Sequence, residues 1–150
     1  MIAKSSVFSE GALMGTKYTC DGEDVSPPMS WSGAPEETQS FALICDDPDA
    51  PAGDWVHWVF YDIPGSVSEL PEKVPGVKNP KIGGTQGAND FKKIGYGGPC
   101  PPGGTHRYYF KLYALDKELG MAPGASKHQV LAAMKGHVLA EAQLMGRYRR

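Results

Sequence analysis

DDPDAPAGDWVHWVFYDIP, residues Asp46 to Pro64, joins a carboxylate-rich proline turn to an aromatic, β-branched run, and this junction decides the fold. Pro48 and Pro51 fix their own φ and push the preceding residues out of helical space, so Asp47, Asp49 and Ala50 are held on a stiff, extended turn. Beyond Gly53, the run Trp55 to Tyr61 reads as a largely buried strand. His57 sits inside it. A histidine among such neighbours needs hydrogen-bond partners or costs roughly 1–3 kcal/mol in desolvation. It is either a core histidine oriented by a carbonyl or an aspartate, or a member of a site.

A second stretch, GGPCPPGGTHRYYFKLY from Gly97 to Tyr113, repeats the design: a Pro/Gly loop runs into an aromatic strand with His106 near the junction. If both strands belong to one domain, their loops can converge on one mouth and bring His57, His106 and the Asp47/Asp49 pair together. Rigid loops at strand ends are where binding chemistry concentrates. Tyr108, two residues beyond His106 on the same strand face, can supply a hydroxyl. The loop containing Pro99 and Gly104 lets backbone approach closely. Two imidazoles at one mouth can each donate an N–H to an anion, and an aspartate behind one of them fixes its tautomer. That chemistry suits a phosphate ester or a carboxylate. Unpaired, Asp47 and Asp49 would repel such a ligand, so at least one must face a histidine, a backbone amide or a ligand ammonium group.

At 150 residues and 41% hydrophobic content, the chain fits one domain spanning 1–150. Its 19 glycines and 13 prolines punctuate short apolar runs, which favours many strands over helices. Strands are expected at Met29 to Ser32 and at Ser40 to Asp46, the latter covered on both faces with Cys45 as core filling. Tyr108 to Leu115 reads as a central strand with one mixed face. Residues 66–89, with Pro71, Pro75, Pro80 and Gly83-Gly84, read as a long irregular excursion that either caps the pocket or offers a partner surface. Ser126 and Gln129 form a capping-box pattern, and Leu131, Met134, Val138, Ala142 and Met145 recur at helical spacing. They predict a core-facing helix from about Lys127 to Leu144, stopped by Gly146, with Arg147, Arg149 and Arg150 complementing its dipole. His128 and His137 lack ligand spacing and are read as structural.

A net charge of −2 gives no basic field for nucleic acid. The N-terminus lacks the apolar run of about 7–15 residues that a signal peptide needs. Nothing reaches the roughly 20 apolar residues required to cross a bilayer. A soluble cytoplasmic protein is the expectation. Cys20, Cys45 and Cys100 are odd in number and widely spaced, which predicts reduced thiols and neither a disulfide framework nor a metal site. No cofactor is called for. Cys100, six residues before His106, could pair with an imidazole and make a hydrolase or transferase acting on phosphoesters or peptides through His57 and His106. Its flanking prolines supply neither a cation nor a helix N-terminus to lower its pKa, so binding is favoured over catalysis.

The DPDAP of Asp47 to Pro51, the HW of His57 and Trp58, and the GGPCPPGGTHRY of Gly97 to Tyr108 resemble the phosphatidylethanolamine-binding protein family, also called the Raf kinase inhibitor protein family. Ser26-Pro27-Pro28 before Trp31, the GANDF of Gly87 to Phe91, and GHVLAEAQLMGRY of Gly136 to Tyr148 are similar to its bacterial and archaeal (YbhB/YbcL-like) branch. The resemblance implies a mainly β fold, an antiparallel Greek-key β-sandwich with a C-terminal helix. It also implies a small pocket that binds phosphorylated head groups, lined by Asp47, Ala50, Pro51, His57, Pro99, His106 and Tyr108. Cys100 stands in that loop where eukaryotic members commonly carry proline, which alters the pocket's shape. The family's names further imply inhibition of a protein kinase or protease. Exposed Trp or Tyr on the sandwich would be the basis of a homodimer, which no pattern in the sequence specifies.

Overall fold

The computed structural model describes all 150 residues. In chain order it contains β1 (Ile2–Lys4), β2 (Met29–Ser32), β3 (Ser40–Asp47), β4 (Trp55–Pro64), β5 (Glu69–Leu70), β6 (Thr85–Gln86), β7 (Thr105–Leu115), α1 (Lys127–Met134) and β8 (Val138–Arg149). The strands form two antiparallel sheets, a small one in the order β1-β2-β5 and a large one in the order β6-β4-β3-β7-β8. Every residue of β3 is buried, as a strand covered on both faces must be. Side chains alternate across it. Phe41, Leu43 and Cys45 pack with Trp31, Trp58 and Phe110 in the core shared with the small sheet. Ala42 and Ile44 pack with Tyr61, Val130 and Met134 on the opposite face, which α1 covers.

The capping box at Ser126 and Gln129 is present, but the helix stops at Met134 and does not run to Leu144. Gly136 turns the chain with φ of +84°, and residues from Val138 onward pair with β7 along its whole length, Thr105 opposite Arg149. Ala140, Ala142 and Leu144 alternate with Glu141 and Gln143, a period of two that suits an edge strand. Gly146 is therefore a strand position and no helix stop. A side chain there would collide with Met14 and Phe8, which lie across it. The terminal arginines complement no helix dipole. Arg147 donates to the Gly11 carbonyl at 2.6 Å, and Arg150 pairs with Asp21 at 3.1 Å.

The excursion at 66–89 contributes β5 and β6 and is tied down by Gln86, which is fully buried. The Gln86 side chain accepts from Trp58 Nε1 at 2.7 Å and donates to the carbonyls of Pro75 and Val77 at 2.7 and 2.8 Å. Cys45 is a buried free thiol, as expected. Cys20 and Cys100 are not reduced; they form a disulfide across a separation of 80 residues. The odd count misleads because one cysteine of the three is core filling.

Candidate functional site

The C-terminal end of β3 and the N-terminal ends of β4 and β7 meet at one edge of the large sheet, where an open cavity of about 210 Å³ is formed. His57 is the inserted residue of a β-bulge: Cys45 pairs with Trp58 and Asp46 with Val56, which leaves His57 out of the ladder. Its backbone carbonyl turns instead to the Gly97 N–H at 2.9 Å, while its Nδ1–H donates to the Gly97 carbonyl at 2.6 Å. Tyr108 and Phe91 stack edge-on against the ring, with centroids at 5.1 and 5.5 Å. His106 enters from β7 and donates from Nδ1 to Asp47 Oδ2 at 2.7 Å; the other oxygen of Asp47 accepts the Asp49 N–H at 2.7 Å. Asp47 thus meets a histidine and a backbone amide, the pairing its position required. Each imidazole is committed at Nδ1 and keeps Nε2 for the cavity.

The loop carrying Cys100 packs too closely on its neighbours to admit side chains at its two glycines. A side chain at Gly97 would strike the Phe91 ring, and one at Gly98 would strike the Tyr18 carbonyl and Asp24 Oδ1. Asp24, itself at φ of +58°, accepts the Gly98 N–H at 2.7 Å, and Cys20 N–H donates to the Pro99 carbonyl at 3.1 Å. Phe91 is set by its neighbours: Asp90 Oδ2 accepts the Val56 N–H at 2.7 Å, and Asn89 Oδ1 accepts the Phe91 N–H at 2.9 Å.

Of the residues singled out from sequence, Asp47, Ala50, Pro51, His57, Cys100, His106 and Tyr108 line the cavity. Asp49, Pro99 and Gly104 do not. Asp49 turns outward to Arg107, which grips it through Nε and Nη2 at 2.9 and 2.8 Å and holds its carboxyl below the usual range. Pro99 contributes its carbonyl to the Cys20 amide. Gly104 has open space where a Cβ would be, so its φ of +75°, and not close approach, is what calls for glycine there. Trp55, Phe91, Pro101 and Pro102 complete the walls and were missed. The signals were an aromatic at the start of β4, 36% exposed, and the phenylalanine of GANDF. No residue of the 66–89 excursion reaches the cavity. No cluster of three or more His, Cys, Asp or Glu able to hold a metal is formed, and no helix is long and apolar enough to cross a membrane.

Burial holds the His57 imidazole below its ordinary pKa, outweighing the Gly97 carbonyl and the negative Asp47, which favour the charged form. The unfolded chain, with a histidine of ordinary pKa near 6.5, therefore binds more protons than the native one as pH drops. The stability contributed by neutral His57 is present above about pH 6.5 and is lost as pH falls through the folded value. Urea midpoints are expected to decline over that window less steeply in His57→Phe than in the parent chain. Parallel declines would show that the ring is not desolvated. Burial, then the nearby Asp47 charge, also pushes the Tyr108 phenol up, so it stays protonated; its hydroxyl is buried without a partner.

Comparison with known proteins gives the family and the fold. The family model described as phosphatidylethanolamine-binding protein matches residues 4–149. A UPF0098 protein of Methanothermobacter thermautotrophicus is 54% identical over 150 residues, covering 100% of this chain and 99% of the relative. One from Aquifex aeolicus is 51% identical, covering 97% and 86%. Among solved structures, CT736 of Chlamydia trachomatis, described as a phosphatidylethanolamine-binding protein homolog, superposes with a TM-score of 0.91 at 44% identity, covering 99% of this chain and 97% of that one. YbcL of Escherichia coli, described as a member of the mammalian PEBP family, gives 0.90 at 35% identity with the same coverage.

Proposed function

Because the chain belongs to the phosphatidylethanolamine-binding protein family, we propose that the cavity binds a small phosphoryl anion, inorganic phosphate or a phosphorylated head group, between Nε2 of His57 and Nε2 of His106. The observation that carries this reading is the commitment of both Nδ1 atoms, to Gly97 and to Asp47, which leaves two ring nitrogens for one ligand. Tyr108 supports it, since a buried hydroxyl without a partner costs about 1–3 kcal/mol that a ligand oxygen would relieve.

The tautomers set what binds. Neutral His57, its proton on Nδ1, offers Nε2 as an acceptor and suits a protonated ligand oxygen or an ammonium group. His106, its Nδ1 hydrogen-bonded to Asp47, turns Nε2 to the anion as the second contact. In a phosphate titration followed by NMR, His57→Ala and His106→Ala should each weaken binding by about tenfold or more, as expected for hydrogen bonds to a charged ligand. Unchanged affinity in both removes the reading.

Cys100, bonded to Cys20, has no thiol to offer as a nucleophile in this state. Proton transfer by the His106–Asp47 pair is the remaining chemistry for an enzyme, and phosphoester turnover by the purified protein would overturn a purely binding role. Regulation of a kinase or protease would use the same rim, where Trp55 is exposed beside Phe91. Loss of such inhibition on Trp55→Ala would be its sign.

A further inference from the structure

The Cys20–Cys100 disulfide has a cation against one of its two sulfurs. Cys100, half-buried, stands in the cavity wall, and both cysteines also line an outer groove of about 790 Å³ with Asp24 and Tyr96. Arg150 Nη1 lies 3.7 Å from Cys100 Sγ. The guanidinium is held there by Asp21, at 3.1 Å, and by reciprocal backbone hydrogen bonds between Arg150 and Gly104 at 3.1 and 3.2 Å. Cys20, which has no such cation bonded to its sulfur, opens the run Cys20-Asp21-Gly22-Glu23-Asp24, in which Asp21 pairs with Arg150 and Asp24 accepts the Gly98 N–H. A neighbouring cation lowers a thiol's pKa, and neighbouring carboxylates raise it. The thiol of lower pKa is the better leaving group in exchange.

We propose that this disulfide is a directed thiol–disulfide exchange site, attacked at Cys20 and releasing Cys100 as a thiolate against Arg150. In the first step a thiolate from a dithiol reductant bonds to Cys20 Sγ, the Cys20–Cys100 bond breaks, and its electron pair leaves on Cys100. The reductant's second thiolate then attacks its own sulfur in the mixed disulfide. Cys20 leaves as a thiolate and the reductant departs oxidised. The loop does not have to unfold for this. Gly97 N–H to the His57 carbonyl, Gly98 N–H to Asp24, and Cys20 N–H to the Pro99 carbonyl hold it without the covalent bond. The released thiolate appears in the wall of the His57 and His106 cavity.

The test uses the native protein and substoichiometric glutathione, with the mixed disulfide of the first step trapped by early acid quench before a second thiolate can attack it. After acid quench and peptide mapping, the glutathione adduct is expected on Cys20, with Cys100 free. Arg150→Gln should slow adduct formation by about three- to tenfold, since leaving rate follows thiol pKa, and Arg150→Lys should keep most of the rate. Circular dichroism of each variant establishes that the fold is retained. An adduct on Cys100, equal labelling of both, an unchanged rate in Arg150→Gln, or exchange only in denaturant would each overturn the proposal.

Discussion

Replacing both Cys20 and Cys100 with serine is expected to lower the unfolding free energy by about 4–5 kcal/mol, the chain-entropy value for cross-linking residues so far apart. The bond closes a loop spanning 80 positions, and that loop contains β2 through β6, two of the three strands of the small sheet and three of the five of the large one. Its effect falls mainly on the unfolded chain, which it forbids from separating those ends. Two signatures follow. The urea midpoint should fall, and the m-value should rise because the unfolded ensemble of the variant exposes more surface. The native loop should stay in place, because the backbone hydrogen bonds at Gly97, Gly98 and Cys20 survive the substitution. A loss below about 1 kcal/mol with an unchanged m-value would mean that the bond adds little to constraints those contacts already impose.

What could be read in advance, and what could not, divides by range along the chain. β3, β4 and β7 announce themselves through contiguous apolar and aromatic residues, and the two proline-rich loops through residues whose φ is locally determined. The convergence of His57 and His106 followed from seeing one design twice. The helix was overextended because Val138, Ala142 and Met145 continue the spacing of Leu131 and Met134 by coincidence. The alternation of Ala140, Glu141, Ala142, Gln143 and Leu144 was the competing signal, and pairing with β7 decides between them. Cysteine spacing carries no information about a partner 80 residues away. The bulge at His57 is equally silent, since it appears only in the register between β3 and β4. Among three close carboxylates, sequence proximity could not tell Asp47, which faces His106, from Asp49, which faces Arg107.

Asp46→Ala is expected to cost about 3–5 kcal/mol, the range for leaving a buried charge without its partner. Strand alternation sends Asp46 to the face opposite Asp47, where only 2% of its side chain is exposed. Lys127 Nζ meets it at 2.7 Å and Lys111 Nζ at 3.1 Å. Burial pushes the Lys127 ammonium down, but its bond to Asp46 and the charge behind it more than offset this and leave its pKa raised. Without Asp46, the 13%-exposed Lys127 keeps only Asp54, at 3.5 Å and well exposed, and burial prevails. The ammonium pKa then drops below that of the unfolded chain. By linkage, the stability that neutral Lys127 gives is present above the unfolded value near 10.4 and is lost as pH falls through the folded one. The variant's deficit should therefore narrow as pH rises from about 8 toward 10.5, and Lys127→Met in the Asp46→Ala background should recover part of it at neutral pH. A deficit that ignores both pH and Lys127→Met would place its origin in strand packing instead. Phosphate affinity should not change, because the face carrying Asp46 holds α1 while the cavity lies on the other, and a loss there would mean that the two faces of β3 are coupled through its bulge.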